Sequence, residues 1–297
     1  MSVYELAALA AAACWAITGV LAATPVAHLG AVAFTRIRMA MVLALLAAFV
    51  AFTGSWQGFD PAILAAVALS GIVGIFLGDT AIFLTMSRLG PRRTSMLFST
   101  NAPMAVLLGW LVLGETLSQR EIAGIACAFS GVILAIVFGK RRSQLHQWEV
   151  IRGPVWIGVA IGLFSAVCQA TGSLILRPAM ADGADPATVA MLRVGMAVAC
   201  FYAIYPLSPQ FSRAKSPMTP RIAAVTALSG FLAMGLGATL LLFALSGGKV
   251  GIVSTLSATS PALILPLIWW NTGERPALAA WIGAAIVVTG TWLISTG

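Results

Sequence analysis

One carboxylate stands where hydrocarbon is expected. Asp79 lies inside GIFLGDTAIFLTM, residues 74–86, a run otherwise composed for lipid. An ionised side chain at the centre of a membrane helix costs about 2.5–3.5 kcal/mol on insertion scales, so it persists only with a partner or a task. The cations placed to answer it are Arg36 and Arg38 in FTRIRMA. At ~1.5 Å per residue, Asp79 lies roughly 12 Å inside the arginine-rich end of its span, and Arg36 sits about five residues in from the same end. The depths allow an Arg36–Asp79 pair, with Arg38 as the competing partner. Such a pair either locks two helices together, or Asp79 gives up its partner for a proton or a cationic group of a ligand. Arg193, in MLRVGMA, repeats Arg36 later in the chain, but its span offers no acid. It is expected to snorkel toward Asp182 and Asp185 in the preceding turn, the alternative being to bind a substrate carboxylate.

Two further segments combine proline with hydroxyls. Pro103 follows Ser99, Thr100 and Asn101; Pro261 follows Ser257, Thr259 and Ser260. A proline cannot donate to the carbonyl four residues earlier, here Ser99 and Ser257, and lipid offers no substitute donor. Matching polar kinks are expected to line a central cavity, or else to be satisfied by neighbouring helices. Trp15, Thr18, Gln169, Thr171 and Ser173 add polarity in two more apolar stretches; Trp15 either stacks on a substrate or marks an interface. Glu115 and Glu274 read as turn residues, Glu115 beside Arg120, with Ser118–Glu121 forming a capping box that opens the next helix.

Catalytic chemistry is poorly served. Ser130 in AFSG has no base in reach, both histidines (His28 and His146) fall in connectors, and neither HExxH nor GxxxxGK[ST] occurs. No catalytic residue, metal site or cofactor is expected. Cys14, Cys127, Cys168 and Cys200 lie in apolar runs without ligand spacing and read as packing residues.

The elements that must carry these residues follow from composition. The chain of 297 residues is 60% hydrophobic and 9% charged, with a mean hydropathy of +0.99. Soluble domains carry about a quarter charged residues. Ten apolar stretches approach the ~20 residues that cross a bilayer: roughly 4–23, 31–53, 62–86, 93–114, 119–139, 154–176, 187–206, 221–245, 250–271 and 277–295. The fold expected is an all-α integral membrane protein. A cleaved signal is not expected, since MSVYE lacks the positive start of a secretory leader. The net charge of +8 lies mostly in short loops and is no nucleic-acid footprint.

The chain also repeats. ALSGIVGIFLGDT (68–80) matches ALSGFLAMGLGAT (227–239), Gly114-Glu115 matches Gly273-Glu274, and Gly124 and Gly131 match Gly283 and Gly290. Residues 1–139 and 154–297 therefore form two repeats of five spans, joined by a basic connector, 140–153. An odd number of crossings turns the second copy upside down, and inverted repeats build carriers with a site near the midplane. Eleven Lys and Arg fall in the connectors of one side, from Arg88 to Arg275, against Arg120, Arg177 and Lys249 on the other. The positive-inside rule then places both termini outside the cytoplasm.

These motifs, in order and duplicated, resemble the ten-span carriers of the drug/metabolite transporter superfamily, the EamA-type permeases. The resemblance covers the whole chain and rests on Trp15, Arg36 in FTRIRMA, NAP (101–103) and LGETLSQREIAGIACAFSGVILAI (113–136), echoed by MLRVGMA, ATSP and GERPALAAWIGAAIVVTG. It implies movement of small organic metabolites, amino acids or related compounds, often by export. Two departures stand out. The family usually has a basic second connector and cytoplasmic termini, whereas GSWQGFDP has no cation; and Cys168 stands where the first-span tryptophan would recur. The partners expected are a small-molecule substrate and the bilayer of the cell membrane. One chain suffices to enclose a site, so a homodimer is not required. A sensor or scaffold is the competing class, an intramembrane enzyme the remote one.

Overall fold

The computed structural model describes residues 2–56, 58–114, 116–139, 146, 148, 150–181, 184–206, 213–247 and 250–296. The first half comprises α1 (Val3–Leu29), α2 (Ala31–Thr53), α3 (Pro61–Ser70), a π-helical segment π1 (Gly71–Leu77), α4 (Gly78–Phe98), α5 (Asn101–Leu113) and α6 (Gln119–Val137). The second comprises α7 (Val155–Ala181), α8 (Pro186–Ile204), α9 (Pro220–Gly230), π2 (Phe231–Gly237), α10 (Ala238–Gly247), α11 (Val250–Ser257), α12 (Ser260–Thr272) and α13 (Leu278–Ser295). The order of elements thus recurs, down to the π segment, with α4, broken at Gly90, standing where α10 and α11 do.

Local chemistry sets the ends. The expected box opens α6: Glu121 N donates to Ser118 Oγ at 3.1 Å and Ser118 N to Glu121 Oε2 at 2.8 Å. A second box, Ser2 with Glu5, opens α1. Pro61, Pro186 and Pro220 take the first positions of α3, α8 and α9, where a missing N–H costs nothing. Gly54, Gly114 and Gly273 close α2, α5 and α12 in the left-handed conformation that glycine adopts without strain.

Among the described residues, eight helical stretches are long and apolar enough to cross a membrane. The fourth and ninth expected spans differ from the uniform rods that the sequence suggests. After a break at Gly90 (φ 79°), α4 continues to Phe98, turns at Ser99–Thr100, and restarts as α5. Likewise α11 ends at Ser257 and α12 begins after Ala258–Thr259. Pro103 and Pro261 are therefore not mid-helix kinks. They sit in the first turns of α5 and α12, where backbone donors have no acceptor in any case. They are also one residue out of register. Thr100 and Thr259 precede the two helices and Gly114 and Gly273 end them, so the residue matching Pro103 is Ala262.

The halves interlock. α1 packs on α9, π2, α10, α11 and α12, all of the second half, while α7 packs on α3, π1, α4 and α5 of the first. α2 pairs with α8, and α6 with α13 along their lengths. In the last pair, a methyl on Gly131 would stand 2.6 Å from the Gly283 carbonyl oxygen, and one on Gly124 2.7 Å from that of Gly290. The pairing runs in opposite senses along the two helices, so α6 and α13 are antiparallel. Polar contacts gather the connectors at the ends. Arg152 N donates to Arg88 O at 2.9 Å, His146 N to Glu274 Oε1 at 3.0 Å, and Lys215 N to Leu29 O at 3.0 Å. Thr188 Oγ1 donates to Ser55 O at 2.7 Å. Large apolar side chains such as Phe52, Trp156 and Trp270 cover the exterior, as a lipid-facing surface requires.

The glycine crossing makes a stability prediction. Gly131→Ala should cost about 1–3 kcal/mol, because the neighbour in its way is backbone and cannot swing aside. Gly195→Ala, whose new methyl meets Leu43 Cδ1 at an ordinary 3.6 Å, should change little. Thermal unfolding of the two variants in detergent separates them.

Candidate functional site

Asp79 is the second residue of α4, just past π1, and is 7% exposed, enclosed by protein. Its Oδ1 accepts from Gln169 Nε2 of α7 at 2.8 Å. Its Oδ2 faces Arg38 Nη1 of α2 at 3.6 Å. Arg38 is 2% exposed, lies 5.3 Å over the Phe83 ring, and directs Nη2 to the Ser229 carbonyl at 3.5 Å. Arg193 of α8 is near enough for its charge to act on the same carboxylate. Residues from α2, α4, α7, α8 and α9 thus meet around one acid where the two halves touch.

The partner is Arg38, not Arg36. Depth suits both; azimuth decides. Two residues apart on a helix turns a side chain by about 200°. Arg38 falls on the buried stripe of α2, whereas Arg36 points to the other side and lies over the rings of Tyr205 (4.1 Å) and Tyr202 (5.5 Å). Arg193, similarly, does not match Arg36. Buried Ala33, Phe34, Met39, Val42 and Leu46 of α2 correspond in even register to buried Thr188, Val189, Val194, Ala197 and Phe201 of α8. In that register Arg193 is the counterpart of Arg38. Nor does it snorkel to the preceding turn. Its Nη2 lies 3.0 Å from where a methyl on Gly74 would sit, while Asp185 caps α8 by accepting from Thr188 N at 2.7 Å. Asp182 lies outside the described residues.

The place held by Trp15 in α1 is held in α7 by Gln169 and not by Cys168. Trp15 Nε1 lies against Gly237 and donates to Ala233 O at 3.2 Å; Gln169 Nε2 lies against Gly78, the matching glycine. Likewise Thr18 Oγ1 reaches Ser229 O at 3.4 Å, and Ser70 Oγ, opposite, donates to Gly172 O at 2.7 Å. Neither π segment was foreseen, though the duplicated ALSG…LG motif marks both. A π turn shifts each backbone donor by one residue and leaves carbonyls open to side chains. Here the exit threonines fill part of that role, Thr80 Oγ1 donating to Phe76 O and Thr239 Oγ1 to Gly235 O.

At the broken helices, the hydroxyls turn back on the backbone. Ser99 Oγ donates to Met96 O at 2.6 Å, Thr100 Oγ1 to Leu97 O at 2.6 Å and Thr259 Oγ1 to Leu256 O at 2.6 Å. Ser260 Oγ reaches across to Ala12 O at 3.0 Å, and Ser257 supplies a carbonyl to the same hydroxyl at 3.4 Å. Ser99, Asn101, Ser257 and Thr259 line neither of two cavities near α1. One is an open groove of about 410 Å³ bounded by Ile17, Leu21, Leu267 and Asn271. The other, of about 40 Å³, lies beneath the connector between the halves, bounded by Val26, Met86, Pro91, Trp148 and Arg152. That connector is no loose loop at Trp148: its side chain packs against the cluster of Ala16, Val20, Ile264 and Ile268, and its carbonyl occupies the space a side chain on Gly90 would need. Glu115 and Lys140–Arg142 lie outside the described residues. Two of the counted connector cations, Arg92 and Arg93, are buried; Arg92 Nη1 donates to Ala135 O at 2.8 Å near the end of α6, where the helix dipole favours a cation.

Removing the Arg38 charge should be severe. Arg38→Leu leaves Asp79 without its ion pair and should cost about 3–5 kcal/mol. Arg36→Leu, which leaves that pair intact, should cost no more than its stacking on tyrosine, about 0.5–2 kcal/mol. Thermal unfolding of both in the same detergent checks the order.

Comparison with known proteins agrees with this architecture. The profile described as the EamA-like transporter family matches residues 2–137 and again 156–296. A probable terminal-alkyne amino-acid exporter of Streptantibioticus cattleyicolor is 28% identical over 221 residues; the match takes in 69% of this chain but only 64% of that exporter's length. An uncharacterized transporter in the cobO 3′ region of Sinorhizobium sp. is 31% identical over 150 residues, 46% of this chain and 97% of that protein. A crystal structure named only as that of a protein superposes with a TM-score of 0.67 over 98% of this chain and 95% of its own, at 18% identity, a likeness of fold alone. Matched in both halves, the chain belongs to the EamA-like transporter family, and its long apolar helices make it a multi-pass membrane protein.

Proposed function

We propose that the protein exports small organic metabolites, amino acids or related compounds, across the cytoplasmic membrane by alternating access, with Asp79 as the proton-coupling group. The observation that carries this reading is the double hold on Asp79, by Arg38 of the first half and Gln169 of the second. Its charge bears directly on how the halves meet. A proton on the carboxylate would weaken both contacts at once, while a deprotonated one would draw them in.

Ten crossings in two inverted repeats suit the same contacts. The connectors joined by Arg152–Arg88, His146–Glu274 and Lys215–Leu29 are those that ten alternating crossings assign to one face, and Thr188–Ser55 belongs to the other. The antiparallel α6–α13 crossing is what an inverted duplication of one helix would give. The loop charges favour termini outside the cytoplasm. The class of cargo and its direction are taken from the named exporter relative.

Purified protein in liposomes, loaded with a panel of labelled amino acids, should show counterflow of at least one of them. Asp79→Asn should keep exchange and lose its dependence on a pH gradient. An unchanged pH response in that variant would assign Asp79 to a structural lock. A reporter fused after the last residue should be active outside the cytoplasm; activity inside reverses the orientation.

A further inference from the structure

Around Asp79 the charges do not balance. Arg38 and Arg193 bring two positive charges to one carboxylate, leaving an excess of one cation inside the protein. Both oxygens of Asp79 are engaged, Oδ1 by Gln169 and Oδ2 by Arg38. Arg193 has no carboxylate within ion-pair distance among the described residues, and its buried Nε has no acceptor; the Nε of Arg38 is buried and unpartnered as well. A guanidinium has five N–H donors and a planar fork that fits a carboxylate two-pronged. Leaving such donors unmet in a membrane interior is costly, so a group that uses them is expected in some step of the cycle.

The wall before Arg193 is built low. A methyl on Gly71 would stand 2.5 Å from the Arg193 carbonyl oxygen, and one on Gly74 3.0 Å from Nη2. Both glycines belong to π1, which ends one residue before the turn carrying Asp79. On the far side, Gly172 meets Gly74 backbone to backbone, its added methyl falling 2.9 Å from the Gly74 Cα. At Nη2 the guanidinium therefore faces the bare backbone of Gly74, with no side chain at that position to cover it.

Resting on the carrier reading, we propose that Arg193 is the receptor for a carboxylate of the transported compound, which docks beside the Arg38–Asp79 pair and brings the cluster to neutrality. The recognised group is the acid. A substrate ammonium is not required, because Asp79 already has its two partners. Amino acids and their N-acylated forms are therefore both ligands, and amino-acid amides are not.

The test uses the full chain in nanodiscs, with the thermal midpoint as readout and L-leucine, N-acetyl-L-leucine and L-leucinamide as probes. The two acids should raise the midpoint and the amide should not. Arg193→Gln should abolish the rise with both acids, while its own unliganded midpoint stays equal or increases, since an unmet buried charge has been removed. Arg120→Gln, an exposed arginine at the start of α6, should retain the rise. The proposal is overturned by a rise with leucinamide equal to that with leucine, by an acid-induced rise that survives Arg193→Gln, by no rise with any probe, or by a lowered unliganded midpoint in Arg193→Gln. The carrier reading fails separately: acids that shift the midpoint while no amino acid of the liposome panel exchanges would leave a binding site without transport.

Discussion

Asp79 accepts from Gln169 on one oxygen and faces Arg38 on the other, and these two partners come from different halves of the chain. In a bilayer no water stands ready to solvate a carboxylate, so its stability is decided by what the surrounding helices deliver. α2 must bring Arg38 and α7 must bring Gln169 to the same point on α4. That requirement explains why so little bulk separates these helices: Gly78 lies against Gln169, Gly74 against Gly172, and Gly71 against the backbone of α8. Larger residues at those positions would hold the partners out of reach. The small residues thus set distances that the ion pair then uses.

The same shortage of water governs the backbone. Each half contains a π segment and a broken helix, and both devices loosen carbonyls that lipid cannot satisfy. The chain meets the need locally. Ser99, Thr100 and Thr259 return their hydroxyls to the turn before them, and Thr80 and Thr239 do so after the π segments. Where the carbonyl is not met locally, another helix supplies the donor, as Trp15 does for Ala233 and Thr18 and Arg38 do for Ser229. Among the described residues, both π segments and both broken helices lie where α1 or α7 passes close by. The hydroxyl clusters that mark these segments serve the helix first.

Much of this was legible in the residues. Hydrophobic length gave an all-helical membrane protein, internal similarity gave the repeated order of elements, and Ser118–Glu121 gave a helix start to the residue. A lone acid in a greasy run pointed to the centre of the molecule. What stayed hidden was rotation. Depth along a helix follows from counting residues, but the side to which Arg36 or Arg38 points depends on which stripe is buried. α2 is apolar almost all round, so its sequence does not declare a stripe. The same ambiguity made Arg36 the apparent match of Arg193, because the shared Met-Ala pair outweighed a burial pattern not yet visible. Gln169 was noticed as polar but not as a ligand of Asp79, since the two are ninety residues apart and meet only once α7 is laid across α4. The π segments eluded a reading based on a 3.6-residue period, and the prolines drew attention away from a break that begins before them.

The interlocking limits how such a molecule can move. Since α1 is packed into the second half and α7 into the first, a carrier of this build cannot rock as two sequence-contiguous bundles without pulling both helices from their walls. Opening a way to Asp79 instead requires Gln169 on α7, or Arg38 on α2, to shift relative to α4. Beside Gly78 the α7 face makes small and polar contacts, among them Ser165 Oγ donating to Gly78 O at 2.8 Å, while farther along Leu89 and Leu97 of α4 pack with Val159 and Leu163 of α7. α6 and α13, by contrast, touch backbone to backbone at two glycine pairs and leave no slack for displacement. Trp148 adds a second fixed point, wedged against Gly90 and against α12. The charged cluster therefore lies beside a glycine contact of its own, Gly74 on Gly172, so α7 is held close to π1 just as α6 is to α13. Under the proposed coupling, a change in charge at Asp79 acts on Gln169 and Arg38, the side chains that bridge this packing.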